Sequence, residues 1–136
     1  MQRNGENIAI YTRKSKYTGK GESTGNQLEL CKAYIRNIYG EEYDNRRQVF
    51  EDEGFSGGDL NRPAFRRMMN DVRKRRYKAI IVYRLDRISR SVIDFANLID
   101  VFQKYKVDFV STMEKFDTGT PIGKAMLMIV MIFFLL

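Results

Sequence analysis

Histidine and tryptophan are missing from these 136 residues, cysteine occurs once and proline twice. Without histidine there is no imidazole acid or base, no Ser-His-Asp triad and no ordinary zinc site, so any chemistry falls to Ser, Arg, Asp, Lys or Tyr. No cofactor or metal is expected. The lone Cys31 cannot form an internal bridge, and its place in a helix pattern reads as a buried structural thiol. A cytoplasmic protein is the default. Met1 to Asn7 lack the apolar core of a signal peptide. The longest apolar run, Ala125 to Leu136, falls short of the roughly 18 to 20 residues that span a bilayer. It stops without a cap or polar flank, as if cut inside a helix. Such a helix needs cover on every side, and the basic domain before it favours a partner chain over a membrane. The P-loop pattern G-x-x-x-x-G-K-[ST] is absent too.

What is present is positive charge, unevenly placed. The formal net charge is +7, yet residues 62 to 90 hold eleven Lys or Arg against two Asp, leaving the rest slightly acidic. A basic block inside a folded domain is the electrostatic footprint of a polyanion partner, with double-stranded DNA the leading candidate. Within it, Arg66, Arg67, Arg73, Lys74, Arg75 and Arg76 are expected on the outer face of one helix.

Hydrophobic patterning alternates strands with helices. The run from Ile8 up to the polar loop that starts at Lys14, Gln48 to Asp52, Lys78 to Tyr83 and Val107 to Thr112 read as strands, the third a continuous apolar run typical of a buried parallel strand. Leu28, Cys31, Tyr34, Ile35 and Ile38 repeat at helical spacing, with Ser23 or Thr24 as cap and Gly40 as stop. A second helix starts at Pro63 with Phe65, Met68, Met69 and Val72 inward. A third, capped by Ser89 or Ser91, turns Val92, Phe95, Leu98, Ile99 and Phe102 inward, and a loop through Asp117, Gly119 and Pro121 leads to the terminal helix. The fold class is α/β: a mostly parallel open sheet of about four to five strands, helices on both faces, and a truncated long C-terminal helix. Residues 1 to 120 form one domain and 121 to 136 begin the long helix.

In such a sheet the carboxyl ends of the strands share one edge, where ligands bind. The first strand delivers Tyr11, Arg13 and Ser15 in alternate positions on one side of an extended backbone. The second brings Asp52 and Ser56, and the third Asp86, Arg87 and Arg90; Arg62 is close enough in the chain to join them. Four arginines on one rim would grip a phosphodiester and stabilise its pentacovalent transition state without a metal. Asp86 fits as an orienter of arginines or a proton donor.

Taken together, Tyr11-Thr-Arg-Lys-Ser15, Gln27, Asp52, Gly54-Phe-Ser-Gly57, Asn61-Arg-Pro-Ala-Phe65 and Val82-Tyr-Arg-Leu-Asp-Arg-Ile-Ser-Arg90 resemble the catalytic domain of serine site-specific recombinases. The likeness covers nearly the whole chain and continues through Phe116-Asp-Thr-Gly and Gly123-Lys124. The Gly-Phe-Ser-Gly and Arg-Pro-Ala-Phe pieces are similar to the large members, the phage integrases and mobile-element transposases. The resemblance implies that Ser15 attacks a DNA phosphate to give a 5′-phosphoserine, without ATP. Arg13, Arg87 and Arg90 would hold the phosphate, Arg62 would assist, and Tyr11, Gln27, Asp52 and Ser56 would support the site. It further implies a homodimer or tetramer of the full-length protein, built on the helix from about Pro121, and a catalytic piece that lacks its DNA-recognition domains. Two other readings keep the fold: a non-catalytic dimerisation or tethering module, and a nucleotide-binding signalling domain. The first leaves Arg13 with Ser15 idle, and the second leaves the arginines unexplained.

Overall fold

The structure, a computed structural model, describes residues 6–14, 24–53, 62–85, 88, 92–113, 116–123, 125 and 129. In chain order they form β1 (Asn7–Lys14), α1 (Thr24–Ile38), α2 (Glu41–Asn45), β2 (Gln48–Glu53), α3 (Pro63–Arg73), β3 (Tyr77–Val82), α4 (Val92–Lys104), β4 (Asp108–Ser111) and β5 (Phe116–Asp117). The five strands lie in the order β2-β1-β3-β4-β5. The first four are parallel, and the two-residue β5 is antiparallel to β4.

This order explains the two helical layers. From β1 the chain steps outward to β2, then crosses back over β1 to β3 and on to β4. Right-handed crossovers in opposite directions must cover opposite faces. Accordingly, Ile8, Ile10, Ala79 and Ile81 pack with Cys31 and Ile35 of α1 on one face. Ala9, Tyr11, Ile80 and Val82 pack with Met68, Val72, Phe95 and Phe102 of α3 and α4 on the other. Successive strand residues point to opposite faces, so strands apolar on both sides are required. On the α3/α4 face Phe109 stands edge-on to Phe95 and stacks on Phe102, both at 5.6 Å.

The helix ends follow local rules. Gly40, at φ +107°, ends α1 while its N–H donates to Ile35 O at 3.0 Å. The expected cap of the third helix, Ser89 or Ser91, lies outside the described residues, as does Ser23. Both α3 and α4 close with a residue in the left-handed region, Arg75 at φ 59° and Lys106 at φ 56°. The N–H groups of the residues that follow, Arg76 and Val107, reach back to Asp71 O and Phe102 O. Glycine is the usual occupant there, and a side chain costs about 1 kcal/mol.

Three features differ from the sequence expectations. Ile38, counted in the apolar stripe of α1, is the last residue of that helix and is exposed. The short α2 was not expected; its five residues are too few to show a period. The loop through Asp117 contains β5, whose ladder is extended by the Thr118 hydroxyl accepting from Phe109 N at 2.8 Å. Residues 121–123 are helical, with Thr120 Oγ1 accepting from Gly123 N at 2.9 Å. A Cβ on Gly123 would meet Asp117 O at 1.7 Å, so the close approach there admits glycine only. Except for residues 125 and 129, the apolar run to Leu136 lies outside the described residues. Among the described residues no helix is long and apolar enough to cross a membrane.

Candidate active site

The connections diverge at the neighbouring strands β1 and β3, and the crevice beyond their carboxyl ends is where open α/β sheets bind ligands. Tyr11 and Arg13 lie at the carboxyl end of β1, and both are buried. Arg13 stands in register with Asp52 of β2. The Asp52 carboxylate joins three elements. It accepts from the Tyr11 hydroxyl at 2.8 Å, from Ala64 N at 2.9 Å and from Phe65 N at 3.0 Å. Two of the otherwise orphaned N–H groups at the start of α3 are thereby satisfied by a negative charge, where the helix dipole favours one. Arg62, the residue before Pro63, offers no side-chain cap of its own, and a carboxylate from β2 takes that part.

Asp52 thus fixes the start of α3, and that fixes Arg62. The Arg62 side chain is fully buried. Its guanidinium carbon lies 5.1 Å from the centroids of both the Tyr11 and Phe65 rings, and the two rings meet edge to face at 5.5 Å. Nη2 donates to the backbone carbonyl of Ile88. Burying a charge costs several kcal/mol, and two desolvated cation–π contacts at about 2 kcal/mol each together with the charge-assisted hydrogen bond to Ile88 O work against that cost.

Burial pushes the Tyr11 phenol well above its ordinary value; Arg62 pulls the other way and Asp52 adds to the rise. Tyr11 therefore stays protonated as a donor to Asp52, and a phenol held neutral is a poor nucleophile. Gln27, on α1, is also buried. Leu85 and Ile88 are buried too, and Ile88 N donates to Leu85 O at 3.0 Å. Leu85 and Ile88 are thus two fixed apolar points, three residues apart in the sequence. Of the residues expected at the site, Tyr11, Arg13, Asp52 and Arg62 lie at the carboxyl edge; Ser15, Ser56, Asp86, Arg87 and Arg90 lie outside the described residues. Among the described residues no cluster of His, Cys, Asp or Glu is arranged to hold a metal ion.

Residues 8–134 match the family model described as "Resolvase, N terminal domain". The chain belongs to the resolvase N-terminal domain family. Among solved structures it is similar to the N-terminal catalytic domain of TP901-1 integrase, at 38% identity and a TM-score of 0.75, covering 91% of this chain and 90% of that one. It is 33% identical to the Tn917 transposon resolvase of Enterococcus faecalis, over 53% of this chain and 38% of that protein. It is 30% identical to the serine recombinase gin of Escherichia phage Mu, over 57% of this chain and 38% of that protein. The chain spans well under half the length of these two curated relatives.

For this resolvase-family domain the basic helix divides into two groups. Arg66 and Arg67 are exposed one turn from Arg62, while Arg73 is exposed at the far end of α3, about 10 Å further on at 1.5 Å per residue; Lys74 and Arg76, expected on the helix, are exposed just beyond its end. Arg76 pairs with Asp71 at 3.0 Å and Arg75 lies 5.2 Å from the Tyr105 ring centroid, so these two charges are partly engaged within the fold. A cleft of about 300 Å³ between α3 and α4 is lined by Arg66, Arg73, Met69 and Leu98. Sequence reasoning missed Phe65 as a site residue: at helical spacing from Met68, Met69 and Val72 it reads as plain core, and only its ring against Arg62 shows otherwise.

Proposed function

We propose that this chain is the DNA-cutting part of a serine site-specific recombinase. Ser15 Oγ bonds to the scissile phosphorus as the P–O3′ bond breaks, leaving a 5′-phosphoserine and a free 3′-hydroxyl. The serine proton is given up, and the leaving 3′ oxygen takes one. Arg13, Arg87 and Arg90 hold the phosphate and stabilise the charge of the transition state, while Asp86 orients an arginine or protonates the leaving oxygen. The ester conserves the bond energy, so rejoining needs no ATP. With no histidine in the chain, Ser15 depends on nearby guanidiniums to lower its effective pKa.

The observation that carries this reading is Arg13, buried at the end of β1 beside Asp52 and two residues before Ser15, in a chain of the resolvase family. The likeness to an integrase domain over nine-tenths of the chain supports a role in integration or excision of a mobile element. Arg66, Arg67, Arg73, Lys74, Arg75 and Arg76 supply non-specific attraction to double-stranded DNA, and Gln27 and Ser56 support the site. The polypeptide works as a dimer or tetramer through the helix that begins near Pro121. A nicked suicide duplex carrying its crossover sequence tests the chemistry. Wild type is expected to trap a covalent adduct that Ser15→Ala loses entirely; an adduct mapped to a tyrosine would overturn the assignment.

A further inference from the structure

We infer that Arg62 is a positioning residue rather than a phosphate ligand: clamped between the Tyr11 and Phe65 rings, it holds the Ile88 carbonyl and so sets the segment carrying Asp86, Arg87 and Arg90. This rests on the catalytic reading above and assigns Phe65 a part in it. Three observations converge. The Arg62 side chain has no exposed surface, unlike Arg66 and Arg67 one turn further along α3. Its guanidinium lies at the same 5.1 Å from two aromatic rings that stand edge to face, which leaves its planar fork one set of directions in which to donate. One of those directions ends on Ile88 O, and Ile88 N is itself bonded to Leu85 O.

Ile88 is therefore held from both sides of its peptide framework, and its side chain is buried. Arg87 precedes it directly and Arg90 follows two residues later, so the strut acts on the backbone of the phosphate-holding segment. Asp52 is the base of the device. By capping Ala64 N and Phe65 N and accepting from Tyr11, it fixes both rings and the start of α3 together. A phosphate ligand would present exposed N–H groups at the crevice; the Arg62 side chain has no exposed surface and gives Nη2 to a main-chain carbonyl.

The test uses the full polypeptide, with amide hydrogen exchange over residues 84–91 followed by mass spectrometry, and single-turnover cleavage of the nicked crossover duplex. In Arg62→Gln and Phe65→Leu, exchange at Ile88 is expected to quicken at least tenfold and adduct formation to slow at least tenfold, with affinity for the same duplex unchanged. Phe65→Tyr keeps the ring and restores both. Arg62→Lys keeps the charge but not the planar fork, and recovers neither fully. Unchanged exchange at Ile88 in both Arg62→Gln and Phe65→Leu overturns the proposal, as does a cleavage loss in Arg62→Gln that Phe65→Leu does not share. Thermal melting identifies a variant that fails to fold, and Phe65→Tyr and Arg62→Lys then decide. Absence of any adduct in wild type defeats the catalytic reading alone, because exchange still reads the strut.

Discussion

The two faces of one sheet carry different burdens. On the α1 face, Ile8, Ile10, Ala79 and Ile81 meet Cys31 and Ile35 in an apolar cluster. On the α3/α4 face the same strands present Tyr11 and Val82 to a larger core that also encloses the Arg62 guanidinium against Tyr11 and Phe65. Apolar contacts are interchangeable within volume limits, whereas a buried charge stands or falls with every partner. Both faces hold the fold, and the second also carries the buried charge on which the proposed positioning depends.

Substitutions on each face break that comparison in different ways. The largest effect is expected from Asp52→Ala, which leaves the Tyr11 hydroxyl and two helix-start N–H groups without an acceptor. Unfolding by urea should show a loss of about 4 kcal/mol, and protein that stays folded should cleave more slowly. Ile35→Ala, on the other face, opens a cavity and costs about 3 kcal/mol. Its cleavage rate at low temperature should match wild type, and a parallel drop would show that the faces are not separate.

Alkali loads both faces, since burial raises the Tyr11 and Tyr77 phenols as well as Tyr34 and Cys31. Burial and then Asp117 raise the Tyr34 phenol from its ordinary value near 10 to about 12, and burial raises the Cys31 thiol to about 12. Above pH 9 to 10 the unfolded chain loses these protons while the folded chain keeps them, so stability is complete below that range and falls as pH climbs towards 12. Melting temperature measured against pH should show the decline, and Tyr34→Phe should flatten it. Tyr11→Phe removes one bond to Asp52 and should cost about 1 kcal/mol in the same urea assay. The smallest effect has the opposite sign. Lys106→Gly relieves the left-handed backbone after α4 and should gain about 0.5 kcal/mol, visible as a slightly higher melting temperature.

The four parallel strands were legible as apolar runs bounded by polar loops, and the three longer helices because they repeat their apolar period over three or more turns. β5 and α2 were not, being too short to show one. Among the site residues, Arg13 was legible from its place at the end of an apolar run. Asp52 was visible as a residue and not as a cap, since the N–H groups it satisfies lie 12 and 13 residues away in the chain. Arg62 was legible as a residue of the site and not as an enclosed one, because composition says nothing about which arginine is buried.

The sequence by itself determined the elements: strand and helix patterns fix which residues face a core, while the observed strand order β2-β1-β3-β4-β5 puts the helices on two faces. It also removed histidine, and with it a whole branch of catalytic chemistry. Tertiary structure alone decided that Asp52 caps α3, that Phe65 and Tyr11 close on Arg62, and that Ile88 receives its hydrogen bond. Periodicity is a property of neighbours along the chain, while a buried ionic contact joins residues tens of positions apart and exists only once both rings, the helix start and the carbonyl are in place.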